Sequence, residues 1–198
     1  MRPDNRVTQD YLAAFAAIVH RIAQSLKGAP ANALPVRMYV AGGAALQLHI
    51  GARVSEDIDA TFSRRLVLCD DLSVSYRDLD GQARVLYLDR NYNDSLGLLH
   101  KNAYDDSVPV AIPGVNGKLI DVRVLGPLDL AVSKLSRFSD QDRQDIEALA
   151  RERLIGAKAM RRRAKEAVGG YVGNVDVVRE TIAVACRLVD AANSPRRR

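Results

Sequence analysis

The chain has 198 residues and a formal net charge of +5 at neutral pH, with hydrophobic and charged fractions of 47% and 27% that are ordinary for a globular protein. Its length allows one good core, or one core with a helical appendage. No apolar stretch approaches the roughly 20 residues of a membrane span, and the N-terminus lacks the apolar run of a signal peptide. Cys69 and Cys186 follow no metal-binding pattern, so we expect free thiols in a reducing cytoplasm.

The first 125 residues are predicted to form a helix followed by a mixed sheet. Apolar residues recur at steps of three and four in the first segment, which predicts an amphipathic helix with Thr8 as its N-cap. Strands are then indicated by apolar runs and by turn signals such as Asp80-Gly81. In chain order we predict a helix over 8–27, a strand over 38–41, a short helix to about residue 50, strands over 57–63, 72–77, 83–88, 108–112 and 118–124, and a strand or short helix among the loops of 90–107.

From Pro127 onward the apolar pattern has the period of helices. Gly156 and the pair Gly169-Gly170 mark breaks between them. One helix, a mixed sheet and then several helices are typical of an α+β protein with a helical C-terminal bundle. We predict a core at 1–125 and a helical region at 126–198, with helices at about 127–138, 140–152, 157–168 and 174–192.

The charge is unevenly distributed along the chain. Residues 151–198 contain 12 Lys/Arg and 5 Asp/Glu, a net of +7, whereas residues 1–150 have a net of −2. A basic C-terminal region beside an acidic site could hold a polyanion. The alternative is an ordinary solvated helix face, because Arg161, Arg162 and Arg163 are consecutive and cannot all face one way on a helix.

Two aspartates, Asp57 and Asp59, open the second predicted strand. Side chains two apart on a strand share a face and lie about 7 Å from each other. Two carboxylates on one face repel each other unless a cation lies between them. Asp121, on the later apolar strand, is the candidate third carboxylate if that strand lies beside 57–63. Oxygen ligands of this kind suit Mg²⁺ or Mn²⁺.

The glycine pair Gly42-Gly43 connects the preceding strand to a helix N-terminus. Free backbone N–H groups and the helix dipole attract phosphate there, and the absence of side chains permits close approach. The pair belongs neither to a P-loop nor to a dinucleotide fingerprint. Ser55 and Arg53 precede the aspartates and are candidates for lining a nucleotide pocket, although turn residues have the same composition.

The glycine pair, a gap of 13 residues, Asp57-Ile58-Asp59 and a later carboxylate resemble the signature of the DNA polymerase β-like nucleotidyltransferase superfamily. The segment 130–149 resembles the Lys–Arg–Asp helix motif of abortive-infection nucleotidyltransferase toxins, and is closer still to a related group of uncharacterised bacterial nucleotidyltransferase-like proteins. The resemblance covers roughly residues 36–192. The toxins usually have Gly-Ser in place of Gly42-Gly43.

This resemblance implies a nucleotidyltransferase fold and a metal-dependent transfer of NMP from a nucleoside triphosphate. It also implies that Lys134 contacts the nucleotide phosphates, with Arg137 one helical turn along, and that Asp145 holds Lys134 or positions the acceptor. The toxins carry Ala where Arg137 stands here. They pair with a DNA-binding antitoxin, and some relatives modify tRNA 3′ ends, so RNA and an antitoxin are the implied partners.

Other functions stay open at this point. Asp142, Arg143 and Asp145 could be surface ion pairs of little energetic weight. The chain could be a catalytically silent nucleotidyltransferase fold that binds a partner, or a small-molecule nucleotidyltransferase of the antibiotic-modifying kind. The tyrosines Tyr39, Tyr76, Tyr87 and Tyr92 are expected to pack in the core or on the sheet instead of stacking on bases.

Overall fold

The structure is a computed structural model that describes residues 9–51, 54–95 and 97–194. The predicted N-cap Thr8 and the pocket candidate Arg53 lie outside these residues. The helices are α1 Gln9–Ser25, α2 Gly42–Ile50, α3 Pro127–Ser133, α4 Asp140–Arg151, α5 Ala157–Val168 and α6 Val175–Asn193. The strands are β1 Val36–Val40, β2 Asp57–Phe62, β3 Ser73–Arg77, β4 Ala83–Asp89, β5 Val108–Pro109 and β6 Ile120–Val124.

The chain divides into two compact units. The first contains the described residues up to Tyr92 together with Ser107–Leu125, and the second contains Asn93–Asp106 and the described residues from Gly126 onward. The second unit therefore includes 93–106, a segment that the sequence analysis assigned to the core.

The first unit is built on one mixed sheet with the strand order β3-β4-β2-β1-β6-β5. β1 pairs antiparallel with β2 and parallel with β6, while β2 pairs parallel with β4. The predicted hairpins are present, since β3 pairs antiparallel with β4 and β5 pairs antiparallel with β6. The α+β class with a nucleotidyltransferase-type mixed sheet is thus confirmed.

Helix α1 covers one face of the sheet at β3 and β4. Its buried side chains recur every three or four residues, as predicted. Tyr11 and Ile18 are fully buried, whereas Leu12 and Ala16 are half-buried. Burial of these apolar side chains, about 25 cal/mol per Å² of apolar area, holds the helix on the sheet.

The segment between β4 and β5 differs from the prediction. A strand or short helix was expected in 90–107, but the described residues of this segment form only turns and irregular structure. Asp89 Oδ1 accepts a hydrogen bond from Asn91 N at 2.8 Å, and Asn93 Oδ1 accepts one from Ser95 N at 2.8 Å. Asp and Asn side chains that bond the backbone two residues on stabilise turns at the expense of regular structure.

The second unit is helical, as predicted. α6 packs on α4 and α5, and α3 packs on α4 and α5. α3 ends at Ser133, five residues earlier than predicted for 127–138, and α4 begins with a capping box between Ser139 and Asp142. Among the described residues no helix is long and apolar enough to cross a membrane.

Candidate functional site

The two motif aspartates lie on the central part of the sheet, on β2. Asp57 and Asp59 are partly exposed, while Ile58 and Ala60 are buried on the opposite face. This alternation follows from the two-residue period of a strand, because the apolar residues must face the core. The predicted common face of the two carboxylates is therefore present.

The carboxylate of Asp59 lies directly against the glycine pair. The antiparallel pairing of β1 and β2 continues past β1, since Ala41 N donates to Asp59 O at 2.8 Å. Gly42 has φ +58, and a Cβ built on it would stand 1.8 Å from Asp59 Oδ2. Position 42 thus needs glycine both for its left-handed backbone and for the space that the carboxylate occupies.

The glycine pair also begins α2, a helix with no side-chain hydrogen bond at its N-cap, Ala41. The first N–H groups of a helix have no intrahelical partners, and they carry the positive end of the helix dipole. The pairing of β1 with β2 therefore brings the N-terminus of α2, which attracts phosphate, close to the two carboxylates.

Ser55, a predicted nucleotide contact, is 2% exposed and donates through Oγ to Asp57 Oδ1 at 2.8 Å. The same hydroxyl lies 3.1 Å from Asp57 O. This geometry lets Ser55 fix the orientation of the Asp57 carboxylate.

The expectation that the strand carrying Asp121 lies beside β2 is wrong. β6 pairs with β1, which separates it from β2, and Asp121 is in register with Arg37. Asp59 is opposite Ala41, so the two carboxylates are four residues apart along β1 and two strand spacings across the sheet, roughly 16 Å. The Asp121 carboxylate instead lies 3.8 Å from Arg37 Nε and 3.5 Å from Arg123 Nη1. A shared metal with Asp57 and Asp59 is incompatible with that separation.

A further carboxylate lies next to Asp59 on the neighbouring strand. Asp89, the last residue of β4, is in register with Asp59 on the parallel neighbour strand, and residues paired in this way project to the same face. Across the described residues, no group of three or more His, Cys, Asp or Glu is arranged to hold a metal ion. The candidate site is therefore the carboxylate pair on β2. Asp89 stands at the adjoining register position, where its Oδ1 accepts from Asn91 N.

Tyr87 lies on the sheet, as expected, but it is more exposed than Tyr39 and Tyr76. Tyr39 and Tyr76 are 8% and 7% exposed and do pack inside the fold, but Tyr87 is 43% exposed. It is in register with Asp57, on the face that carries the aspartates. An exposed aromatic ring therefore stands beside the carboxylate pair.

The Lys–Arg–Asp motif forms a network in the second unit in which the lysine and the aspartates are buried and Arg137 is exposed. Lys134 is 6% exposed, and its Nζ lies 2.7 Å from Asp145 Oδ2 and 3.7 Å from Asp142 Oδ1. Arg137 donates two hydrogen bonds of 2.8 Å to Asp142. The two aspartates are thus buried, contrary to the alternative of surface ion pairs.

The pKa of Asp142 reflects the hydrogen bonds and charges of this network. Burial favours the neutral carboxyl, but the hydrogen bonds from Arg137 and Ser139 and the charge of Lys134 outweigh it and lower the pKa of Asp142 to about 2. Asp142 is therefore ionised at neutral pH, and it ties α4 to the residues that precede it. Removing one partner of such a buried pair leaves an uncompensated charge, which is strongly destabilising.

The contact between Gly42 and Asp59 gives a stability prediction. We expect Gly42→Ala to destabilise the protein by about 2–4 kcal/mol, because a left-handed alanine and a clash with the carboxylate act together. Gly81→Ala is the matched control: Gly81 has φ +74 and open space around its Cβ position, so only the backbone cost of about 1 kcal/mol is expected. Urea unfolding measures both, and equal losses in the two variants would show that the clash is absent.

Comparison with known proteins agrees with this geometry. No curated protein and no solved structure matches the chain. Residues 17–172 match the model of a family described as nucleotidyltransferase of unknown function (DUF6036). This range begins within α1 and ends after α5, so it includes the glycine pair, the β2 aspartates, Asp89 and the Lys134 network. The chain belongs to this nucleotidyltransferase family.

Proposed function

We propose that the protein transfers a nucleoside monophosphate from a nucleoside triphosphate to an acceptor hydroxyl in a metal-dependent reaction. The observation that carries the proposal is the placement of Asp57 and Asp59 on one face of β2, with Asp59 against Gly42 at the start of α2. A triphosphate needs both features, namely carboxylates that bring cations to it and free N–H groups that hold it.

The residues present fit Mg²⁺ or Mn²⁺. Both β2 side chains at the site are carboxylates, which provide the hard oxygen ligands of these ions, and Gly42 leaves room for the Asp59 carboxylate that a Cβ would displace. We assign Asp57 and Asp59 as the ligands, since one or two carboxylates together with water and substrate phosphates hold Mg²⁺. Ser55 orients Asp57, and Asp89 supports the site from the neighbouring strand. The ions supply charge neutralisation on the phosphates and on the attacking and leaving oxygens.

The reaction balances without a further reagent. The acceptor oxygen forms a bond to the α-phosphorus, the bond from that phosphorus to the bridging oxygen breaks, and pyrophosphate leaves. The acceptor proton passes to a carboxylate of the β2–β4 face. The N–H groups at the start of α2 hold the phosphates in line, and such positioning provides most of the acceleration in phosphoryl transfer.

Tyr87 is proposed to contact the nucleobase. Its ring is on the same face as Asp57 and is exposed, and stacking of a base on an aromatic side chain contributes about 1–3 kcal/mol. Every base has a π-face, so this contact supports binding without setting the choice of base.

The carboxylates give the direct test of the reaction. We expect Asp57→Asn and Asp59→Asn each to lower NMP transfer at least about 100-fold while the fold is retained, because a neutral amide is a poor ligand for a divalent cation. Transfer is measured with labelled ATP, CTP, GTP and UTP, Mg²⁺ and total RNA, and folding by circular dichroism. Undiminished transfer by both variants would exclude the mechanism.

Asp89→Asn and Asp121→Asn identify the third carboxylate in the same assay. The register predicts that Asp89→Asn has the phenotype of Asp57→Asn, and that Asp121→Asn stays within about threefold of the wild type, because Asp121 is roughly 16 Å from Asp59. The reverse pattern would restore the assignment made from sequence alone.

Tyr87→Trp converts the proposed base contact into an optical signal, since the natural chain contains no tryptophan. We expect nucleoside triphosphate with Mg²⁺ to quench its fluorescence, and Tyr87→Ala to weaken nucleotide binding about tenfold. Val67→Trp, at a side chain 95% exposed on a loop, is the control that should not respond. Equal responses at positions 67 and 87 would contradict a contact specific to Tyr87.

A further inference from the structure

Helix α5 carries four cations on one face. Lys158, Arg161, Arg162 and Lys165 are spaced i, i+3, i+4 and i+7, which places them next to each other on a helix surface, and all four are exposed. As expected, the three consecutive arginines do not all face one way, because Arg163 points away from this face.

Arg163 shows what a structural arginine on this helix looks like. It donates two hydrogen bonds of 2.8 Å to Asp129, and it lies 2.6 Å from Asp106. These hydrogen bonds and charges hold the pKa of Arg163 above its ordinary value, against a smaller opposing effect of burial. The charge of Arg163 is therefore neutralised by two aspartates of the second unit.

The four cations on the exposed face are not neutralised in this way. None of them forms an ion pair or a side-chain hydrogen bond with another residue in the described part of the chain. Like charges three or four residues apart on a helix destabilise it by roughly 0.2–0.5 kcal/mol per pair. The fold thus keeps an unfavourable charge cluster that an external anion would relieve.

The cluster lines an open, shallow concavity of the surface. Lys158, Arg161, Arg162 and Lys165 line a volume of about 470 Å³ together with Ala157 and with Asp190 of α6. Pockets of about 300–1,000 Å³ hold small molecules or parts of larger ones. The volume is sufficient for a phosphate with its attached sugar.

The surroundings favour a soluble polyanion over a membrane. A helix that binds an anionic membrane inserts an apolar face into it. The apolar side chains of α5, such as Met160 and Ala164, are instead buried within the second unit, and no large apolar side chain of α5 is exposed.

We infer that this α5 face binds the phosphate backbone of RNA. Three to four residues of a helix rise about 5–6 Å, so successive cations can meet successive phosphates along a strand. The inference deepens the proposed function by naming RNA as the acceptor class and rests on it for that role, whereas binding itself requires no transfer.

The test is the binding of a fluorescent 20-nucleotide single-stranded RNA by anisotropy at several salt concentrations, with the full chain. The variant Lys158→Gln/Arg161→Gln/Arg162→Gln/Lys165→Gln is expected to bind at least about tenfold more weakly than the wild type in 50 mM salt. The slope of log K against log[salt] should fall in magnitude by about 3, since each phosphate contact on a single strand contributes about 0.7.

A matched control removes the same charge elsewhere. Lys27→Gln/Arg64→Gln/Arg65→Gln/Lys101→Gln also replaces two lysines and two arginines, all exposed, and it should bind within about twofold of the wild type. Equal weakening of both variants, no RNA binding by the wild type, or binding of vesicles rich in anionic lipid in preference to RNA would each overturn the inference. RNA binding lost in the α5 variant without any NMP transfer by the wild type would uphold the surface and reject the proposed reaction.

Discussion

The first unit depends on the fit between a glycine and a carboxylate. A side chain at position 42 would stand 1.8 Å from Asp59 Oδ2, and the backbone there has φ +58. Because β1 and β2 are antiparallel and Ala41 is bonded to Asp59, the strand that leads into the glycine pair and the strand that carries the aspartates meet at this point. The start of α2 follows from that register. Asp57 is oriented by Ser55, and the parallel pairing of β2 with β4 sets Asp89 beside Asp59.

The two units handle charge in opposite ways. The first gathers carboxylates on a sheet face, where the proposed metal ions would offset their mutual repulsion. The second neutralises its interior charges internally, with Lys134 on Asp145 and Arg163 on Asp129, and leaves the cations of α5 exposed. Nucleotidyl transfer to RNA would use both properties, since metal ions serve the triphosphate and cations of the protein serve the acceptor backbone.

Local pattern was sufficient to predict much of this. The alternation around Ile58 fixed the common face of Asp57 and Asp59, and the periodicity and glycine breaks predicted α4, α5 and α6 within a few residues. The order of strands in the sheet could not be predicted from one sequence, because β6 pairs parallel with β1 across a large separation in the chain. For the same reason the strand of Asp121 was wrongly placed beside β2, whereas the neighbour of Asp59 is Asp89, at the end of a strand predicted at 83–88. Tyr87 alternates with buried Leu86 and Leu88, a signal of an exposed face that was readable before the structure.

The location of a bound Mn²⁺ ion tests the central claim most directly. Crystals of the wild-type chain soaked with Mn²⁺ and a non-hydrolysable nucleoside triphosphate would show the ion by its anomalous scattering. We predict a peak within about 2.5 Å of carboxylate oxygens of Asp57 and Asp59, with none at Asp121. A peak at Asp121, or ordered nucleotide with no manganese at the β2 carboxylates, would contradict the account.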